Sequence, residues 1–176
     1  MISASLTPAW QILRTFMVNV LINTLVAFLI GGATLSFNFR AADASGAEVY
    51  SGDGTVVTLE DKYRMETPDV VVASDGNVMG IYQKGADEIV LQPVAAGSGD
   101  VMANPFAVLQ NGGGAYEIST KGKDAKGLPK EIFLKAKNGA LYTIQILEYS
   151  ANPLPDSKLF TLSAEDYPTA YVTDLR

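Results

Sequence analysis

The sequence predicts a mainly β protein: one antiparallel meander or up-and-down barrel with an N-terminal helix in front and a short helix that interrupts the strands. Three observations predict it. Apolar and polar residues alternate through most of the chain after Gly32. Turn signals separate the alternating runs at short, regular intervals, as in an up-and-down barrel. The longest apolar stretch, Met17 to Ile30, stands in front of all of them.

That stretch reads MVNVLINTLVAFLI, interrupted only by Asn19, Asn23 and Thr24 and ended by Gly31-Gly32. Thr7 before Pro8 suits a helix start, a capping hydroxyl followed by proline in the first turn. A helix over 8–30 would be ~34 Å long at 1.5 Å per residue, enough to cross a bilayer. Arg14 is the sole charged residue before Arg40. Three readings fit: an export signal, a membrane anchor, or a helix of the mature fold with one unusually apolar outer side.

Beyond Gly32 the period becomes two. Leu35, Phe37 and Phe39 alternate with Ser36, Asn38 and Arg40; Tyr63 and Met65 with Lys62, Arg64 and Glu66. Ile132 and Leu134 form another such row, and Tyr142, Ile144 and Ile146 the next. Between them lie Asp43-Ala44-Ser45-Gly46, Glu60-Asp61, Asp75-Gly76-Asn77, Gly85-Ala86-Asp87 and Asn138-Gly139, all turn formers. One segment breaks the alternation. Asn104-Pro105 opens a short helix with Phe106, Val108 and Leu109 as its apolar face, between Gly97 and Gly99 on one side and Gly112, Gly113 and Gly114 on the other. Glycines on both sides make it a hinged flap, or equally a fixed plug at one end of the sheet.

Composition narrows the function. The 176 residues suit one domain of 33–176 with the apolar helix of 1–32 in front. Cysteine and histidine are both absent, which excludes thiol and imidazole nucleophile systems and the common zinc sites. A net charge of −6, from 13 basic and 19 acidic residues, argues against nucleic acid. The acid pairs Glu60/Asp61, Asp87/Glu88 and Glu165/Asp166 lie at turns, where carboxylates are ordinarily solvated. Gly52-Asp53-Gly54 and Gly112 to Gly114 lack the lysine and helix of a phosphate cradle.

What remains is the apolar inner face of a curved sheet. Phe37, Tyr63, Met65, Ile89, Leu91, Ile132, Leu134, Ile144 and Ile146 are predicted to share it as the ligand-binding surface, with Phe106, Val108 and Leu109 as the lid. One curved sheet cannot fill its own interior; it needs a helix, a second sheet or a ligand. A plug that can leave exposes an apolar cavity.

The order of motifs resembles the LolA-type lipoprotein carriers, especially Bacteroidetes members. Leu35-Ser36-Phe37-Asn38-Phe39, the turn at Asp43 and Gly52-Asp53-Gly54-Thr55-Val56 resemble that family's first hairpin. Tyr63-Arg64-Met65-Glu66-Thr67-Pro68 resembles the next strand, and Ser74-Asp75-Gly76-Asn77 through Tyr82 the Asp-Gly hairpin after it. Asn104 to Leu109 matches the plugging helix, and Leu159-Phe160-Thr161-Leu162 with Tyr167-Pro168 through Arg176 the terminal strand.

This resemblance, over roughly residues 33–176, implies an incomplete, half-open antiparallel β-barrel with an N-terminal helix and a short lid helix, and a periplasmic, non-enzymatic carrier without cofactor or metal. It would act as a monomer, receiving acylated lipoproteins from an inner-membrane exporter and delivering them to an outer-membrane acceptor. It also places Val20 to Gly32 as the first helix of the fold, in preference to a signal cut after Ala33. Three features depart from the family. The first helix has no charge from Val20 to Ile30, the stretch from Ile118 to Ile132 is short by a hairpin, and no arginine precedes the aromatic strand. Lys62 or Arg64 is the candidate latch for the lid in its place. The alternatives are an envelope lipid-binding or regulatory module of the same fold, and a carboxylate-based hydrolase.

Overall fold

The computed structural model describes residues 9–94, 105–110 and 116–176. Thr7, Pro8 and the expected hinge glycines Gly97, Gly99 and Gly112 to Gly114 lie outside them. Helix α1 spans Ala9–Ile30, and six strands follow: β1 (Ala33–Ala42), β2 (Glu48–Leu59), β3 (Lys62–Glu66), β4 (Val70–Ser74), β5 (Val78–Gln83) and β6 (Glu88–Pro93). Helix α2 (Pro105–Gln110) precedes β7 (Tyr116–Lys123), β8 (Pro129–Ala136) and β9 (Leu141–Ala151). A 3-10 turn at Ser157–Phe160 leads to β10 (Tyr171–Asp174).

These strands make one sheet in the order β10-β6-β5-β4-β3-β2-β1-β9-β8-β7. Among the described residues its edges, β10 and β7, do not pair, so the barrel is open. Two meanders meet where β9 returns to β1, and β10 runs parallel to its neighbour, β6. Three hairpins share one turn. Asp43 N–H donates to the Ala47 carbonyl and Gly46 N–H to Asp43; Asp124, Leu128 and Gly127 repeat the pattern, as do Ala136, Ala140 and Gly139. Each glycine takes a positive φ, of 87°, 81° and 90° respectively, the left-handed position that closes a short hairpin. In the first, the Asp43 carboxylate also accepts from the amides of Ser45 and Ala47 and from the Ser45 hydroxyl, which lowers its pKa. The β7–β8 turn accounts for the short stretch between Ile118 and Ile132.

Helix α1 packs on the inner face. Ile22, Leu25 and Leu29 are buried in the same cluster as Leu35, Phe37, Met65, Ile132, Leu134, Ile144 and Ile146. Its far side stays apolar as well: Leu13, Met17 and Val20 are exposed. The end of the helix is stitched to the sheet. The buried Thr58 hydroxyl donates to the Leu29 carbonyl at 2.8 Å, and the Glu60 amide to that of Ile30 at 2.8 Å. These bonds satisfy carbonyls that a helix C-terminus otherwise leaves open.

Gly32 then turns the chain into β1 at φ 95°, where a Cβ would lie 2.3 Å from the Asn152 carbonyl oxygen. Gly32→Ala therefore combines a disfavoured φ with a clash against backbone. It should lower the unfolding free energy by about 2 kcal/mol or more, read from the urea midpoint.

The outer face carries a second cluster, and here the phase of one strand differs from expectation. Ile89 and Leu91 pack outside, with Val71, Ala73 and Leu162. The register is the reason: Ile89 pairs with Tyr82 and Leu91 with Gly80, whereas the inward residues of β5 are Met79 and Ile81. The segment between β9 and β10 covers this patch. Tyr167 stacks on Tyr82 with ring centroids 3.9 Å apart, and Leu162 lies over Gly80, where a Cβ would come within 3.0 Å of it.

Candidate functional site

The inner face is not filled evenly. On β1, Phe37 stands opposite Gly54 of β2, and Phe39 opposite Gly52. At Gly54 the phenyl ring takes the missing side chain's place, since a Cβ there would be 2.7 Å from Phe37 Cζ. At Gly52 the tip of Tyr50 lies over the backbone, a Cβ there being 3.0 Å from its hydroxyl oxygen, and the space beyond it is open. A cavity of about 220 Å³ results, lined by Phe37, Phe39, Tyr50, Gly52, Met65, Thr67, Asp69, Val70 and Pro105. At about 30 Å³ of liquid volume per water, it has room for roughly seven waters, the scale of part of one acyl chain.

Helix α2 forms one wall. Phe106, Val108 and Leu109 are 1%, 4% and 1% exposed, turned into the main cluster. Phe106 meets Phe37 edge to face at 5.3 Å. Aromatic contacts continue along the interior from Phe39 to Tyr142 at 6.1 Å and from Tyr142 to Tyr116 at 5.9 Å. Further along, Tyr149 donates to the Pro129 carbonyl at 2.5 Å and meets Phe28 of α1 edge to face; burial pushes its phenol pKa up.

Of the residues expected to bind ligand, Phe37 and Met65 border the cavity. Ile132, Leu134, Ile144 and Ile146 are buried in the main cluster, on the part of the sheet that α1 covers, and Tyr63 packs against that cluster. Ile89 and Leu91 do not face it at all.

The latch expectation also requires correction. Arg64 alternates with Tyr63 and Met65, so it points outward, away from α2. Its guanidinium donates to Glu66, to the Leu159 carbonyl and to the Tyr167 hydroxyl, fastening the C-terminal segment to the outer face. Lys62 shares that side of β3 and pairs with Glu60 at 3.6 Å. Both side chains are thus turned away from the lid.

Sequence reasoning left Phe39, Tyr50, Gly52, Thr67, Asp69, Val70 and Pro105 out of the ligand-binding set. The acid pairs have structural partners: Asp87 accepts from the Tyr82 hydroxyl, Glu88 from Thr173, and Asp166 from Ser163. Among the described residues no group of acidic side chains is placed to hold a metal ion.

No protein-family model and no curated protein sequence matches this chain. Solved structures do. An uncharacterized conserved protein from Thermus thermophilus superposes with a TM-score of 0.55 at 9% identity, over 89% of this chain and 98% of that one. At such identity the likeness is one of fold: the half-open barrel with its N-terminal helix is an architecture that other sequences adopt. A LolA superfamily protein from Nitrosomonas europaea matches with a TM-score of 0.49 at 10% identity, over 82% of this chain and 97% of that one. A DUF1329 family protein from Desulfovibrio piger matches at 0.44 and 9%, over 84% and 98%.

Proposed function

We propose that this protein is a non-enzymatic carrier that holds acyl chains of lipoproteins in the cavity between β1, β2 and α2. One observation supports the reading above others: an apolar cavity bordered by Gly52, Phe37 and Phe39 and walled by a short helix whose side chains plug the interior. An apolar slot beside a displaceable plug binds hydrocarbon by burial alone, at about 0.8 kcal/mol per methylene removed from water. The plug competes for the same surface, which keeps affinity moderate and lets cargo leave.

The motif order shared with LolA-type carriers supports the cellular setting. In this reading the protein works in the periplasm of a Gram-negative envelope, without cofactor. It takes acylated lipoproteins from an inner-membrane exporter and passes them to an outer-membrane acceptor. The test is to isolate the protein from an envelope fraction under mild conditions, extract it with organic solvent, and examine the extract and intact complexes by mass spectrometry. Acylated protein species that co-purify and are released by solvent are expected. Recovery free of acylated species, together with no uptake of an added lipoprotein, would refute the role.

A further inference from the structure

The cavity has a wet end and a closed apolar end. Asp69 and Thr67 border it from the turn between β3 and β4, where Asp69 is exposed. Phe37 and Met65, which border it further along the same sheet, are buried. A hydrocarbon chain entering past the turn therefore runs toward Phe37, and a pair of rings meets it there. Phe37 is held against the sheet: a Cβ on the facing Gly54 would lie 2.7 Å from its Cζ, so the ring occupies the room above bare backbone. Phe106 meets that ring edge to face at 5.3 Å, and Pro105, one residue before it, lines the cavity itself. Of the two rings, that of Phe106 is the one placed to yield. Phe37 stands on a ten-residue strand paired on both sides, whereas Phe106 belongs to a helix of six residues.

The space in front of this pair is about 220 Å³. A methylene needs much the same volume as a water in the liquid, ~30 Å³, so roughly seven fit. We propose that the cavity measures acyl chains, with Phe106 as the residue that sets the length accepted before α2 must move. This deepens the carrier reading and rests on it. Up to the limit, each methylene leaves water while the protein's own contacts stay intact. Beyond it, the gain is offset by the packing that Phe106 loses against Phe37 and the main cluster. Affinity should then rise with chain length in two slopes, and one side chain decides where they join.

The experiment uses the full chain loaded with the fluorescent apolar probe 1-N-phenylnaphthylamine. Competitors are the N-acylglycinamides from hexanoyl to tetradecanoyl, lengthened one carbon at a time and kept below their micelle-forming concentrations. The head group is constant, so differences report the chain. In the wild type each added methylene should lower the displacing concentration about fourfold up to roughly eight carbons, and less than about twofold thereafter. Phe106→Leu, which keeps the position apolar, should move the break to chains longer by roughly one to two carbons. Phe106→Ala should move it by about three, the room the ring vacates.

Leu162→Ala removes buried bulk from the outer cluster and controls for loosening of the sheet alone; it should leave the break in place. Phe106→Leu carries the test if the alanine variant does not hold its fold. A single slope over the whole series in the wild type overturns this proposal alone. So does a break that the Phe106 variants leave where it was, or one that Leu162→Ala moves as far. Failure of the probe and of every chain to bind overturns the carrier reading beneath it.

Discussion

Phe106→Ala should destabilise the empty protein by about 3–5 kcal/mol, the usual cost of removing a fully buried phenylalanine ring. For a chain of this length that corresponds to a fall in melting temperature of roughly 10 °C. The ring is 1% exposed and meets Phe37 edge to face, so its loss opens a void next to the existing cavity. The same change should strengthen binding of an apolar probe, because an incoming chain no longer displaces the protein's own ring. Stability and affinity are thus expected to move in opposite directions. Thermal melts and fluorescent fatty-acid titrations on both forms check the pair of effects. Unchanged stability with unchanged binding would show that α2 is not the plug.

Gly52→Leu should do the reverse. A side chain placed there points into the slot opposite Phe39, and its first obstacle is the tip of Tyr50, a side chain able to turn aside. The four added carbons occupy space that a ligand's methylenes would take. At about 0.8 kcal/mol per methylene, exclusion of only two weakens binding by about tenfold. Overpacking costs about 1–3 kcal/mol, so the variant should still fold. Isothermal titration with an acylated peptide, alongside a urea melt, checks this. Wild-type affinity in a folded Gly52→Leu protein would place the ligand elsewhere.

Much of the fold was legible from period and turns. The alternation at Leu35 to Phe39 and at Tyr63 to Met65 gave both strand and face, because each apolar residue is flanked by polar ones. The first hairpin went further than the motifs alone suggested. A register shift between Ala41 and Ala42, past the turn at Asp43 to Ala47, pairs Phe37 with Gly54 and Phe39 with Gly52, so the glycines belong to a strand and leave room for the rings of Phe37 and Tyr50 beside the cavity. Spacing from the turn alone would set Asp53 and Ser51 opposite the two rings, so the register shift hid the signal. Read as a glycine-rich loop, the two glycines pointed only to a weak phosphate cradle.

Two features were not legible, and for physical reasons. Ile89-Val90-Leu91 and Val70-Val71-Val72-Ala73 are continuous apolar runs, which fix no phase; both faces of β4 and β6 are covered, one by the interior and one by the C-terminal segment. Such runs signal a sheet buried on two sides, and the cover had to come from elsewhere in the chain. The role of Arg64 depends on Leu159 and Tyr167, far away in sequence and joined to it only by the fold. Likewise the composition of the apolar row of α1 favours a signal or an anchor over a core helix. What ties it to the sheet is Thr58 and the Glu60 amide, at the end of β2.

The most direct test of the acyl-chain site is photocrosslinking with a lipopeptide whose acyl chain carries a diazirine at mid-chain, followed by mapping of the labelled residues by mass spectrometry. The expected labels fall on Phe39, Met65, Val70 and Pro105, and they disappear in Gly52→Leu. Labelling confined to the outer face around Leu162 and Tyr167, or to the exposed side of α1 at Leu13 and Met17, would contradict an acyl chain in the cavity beside α2.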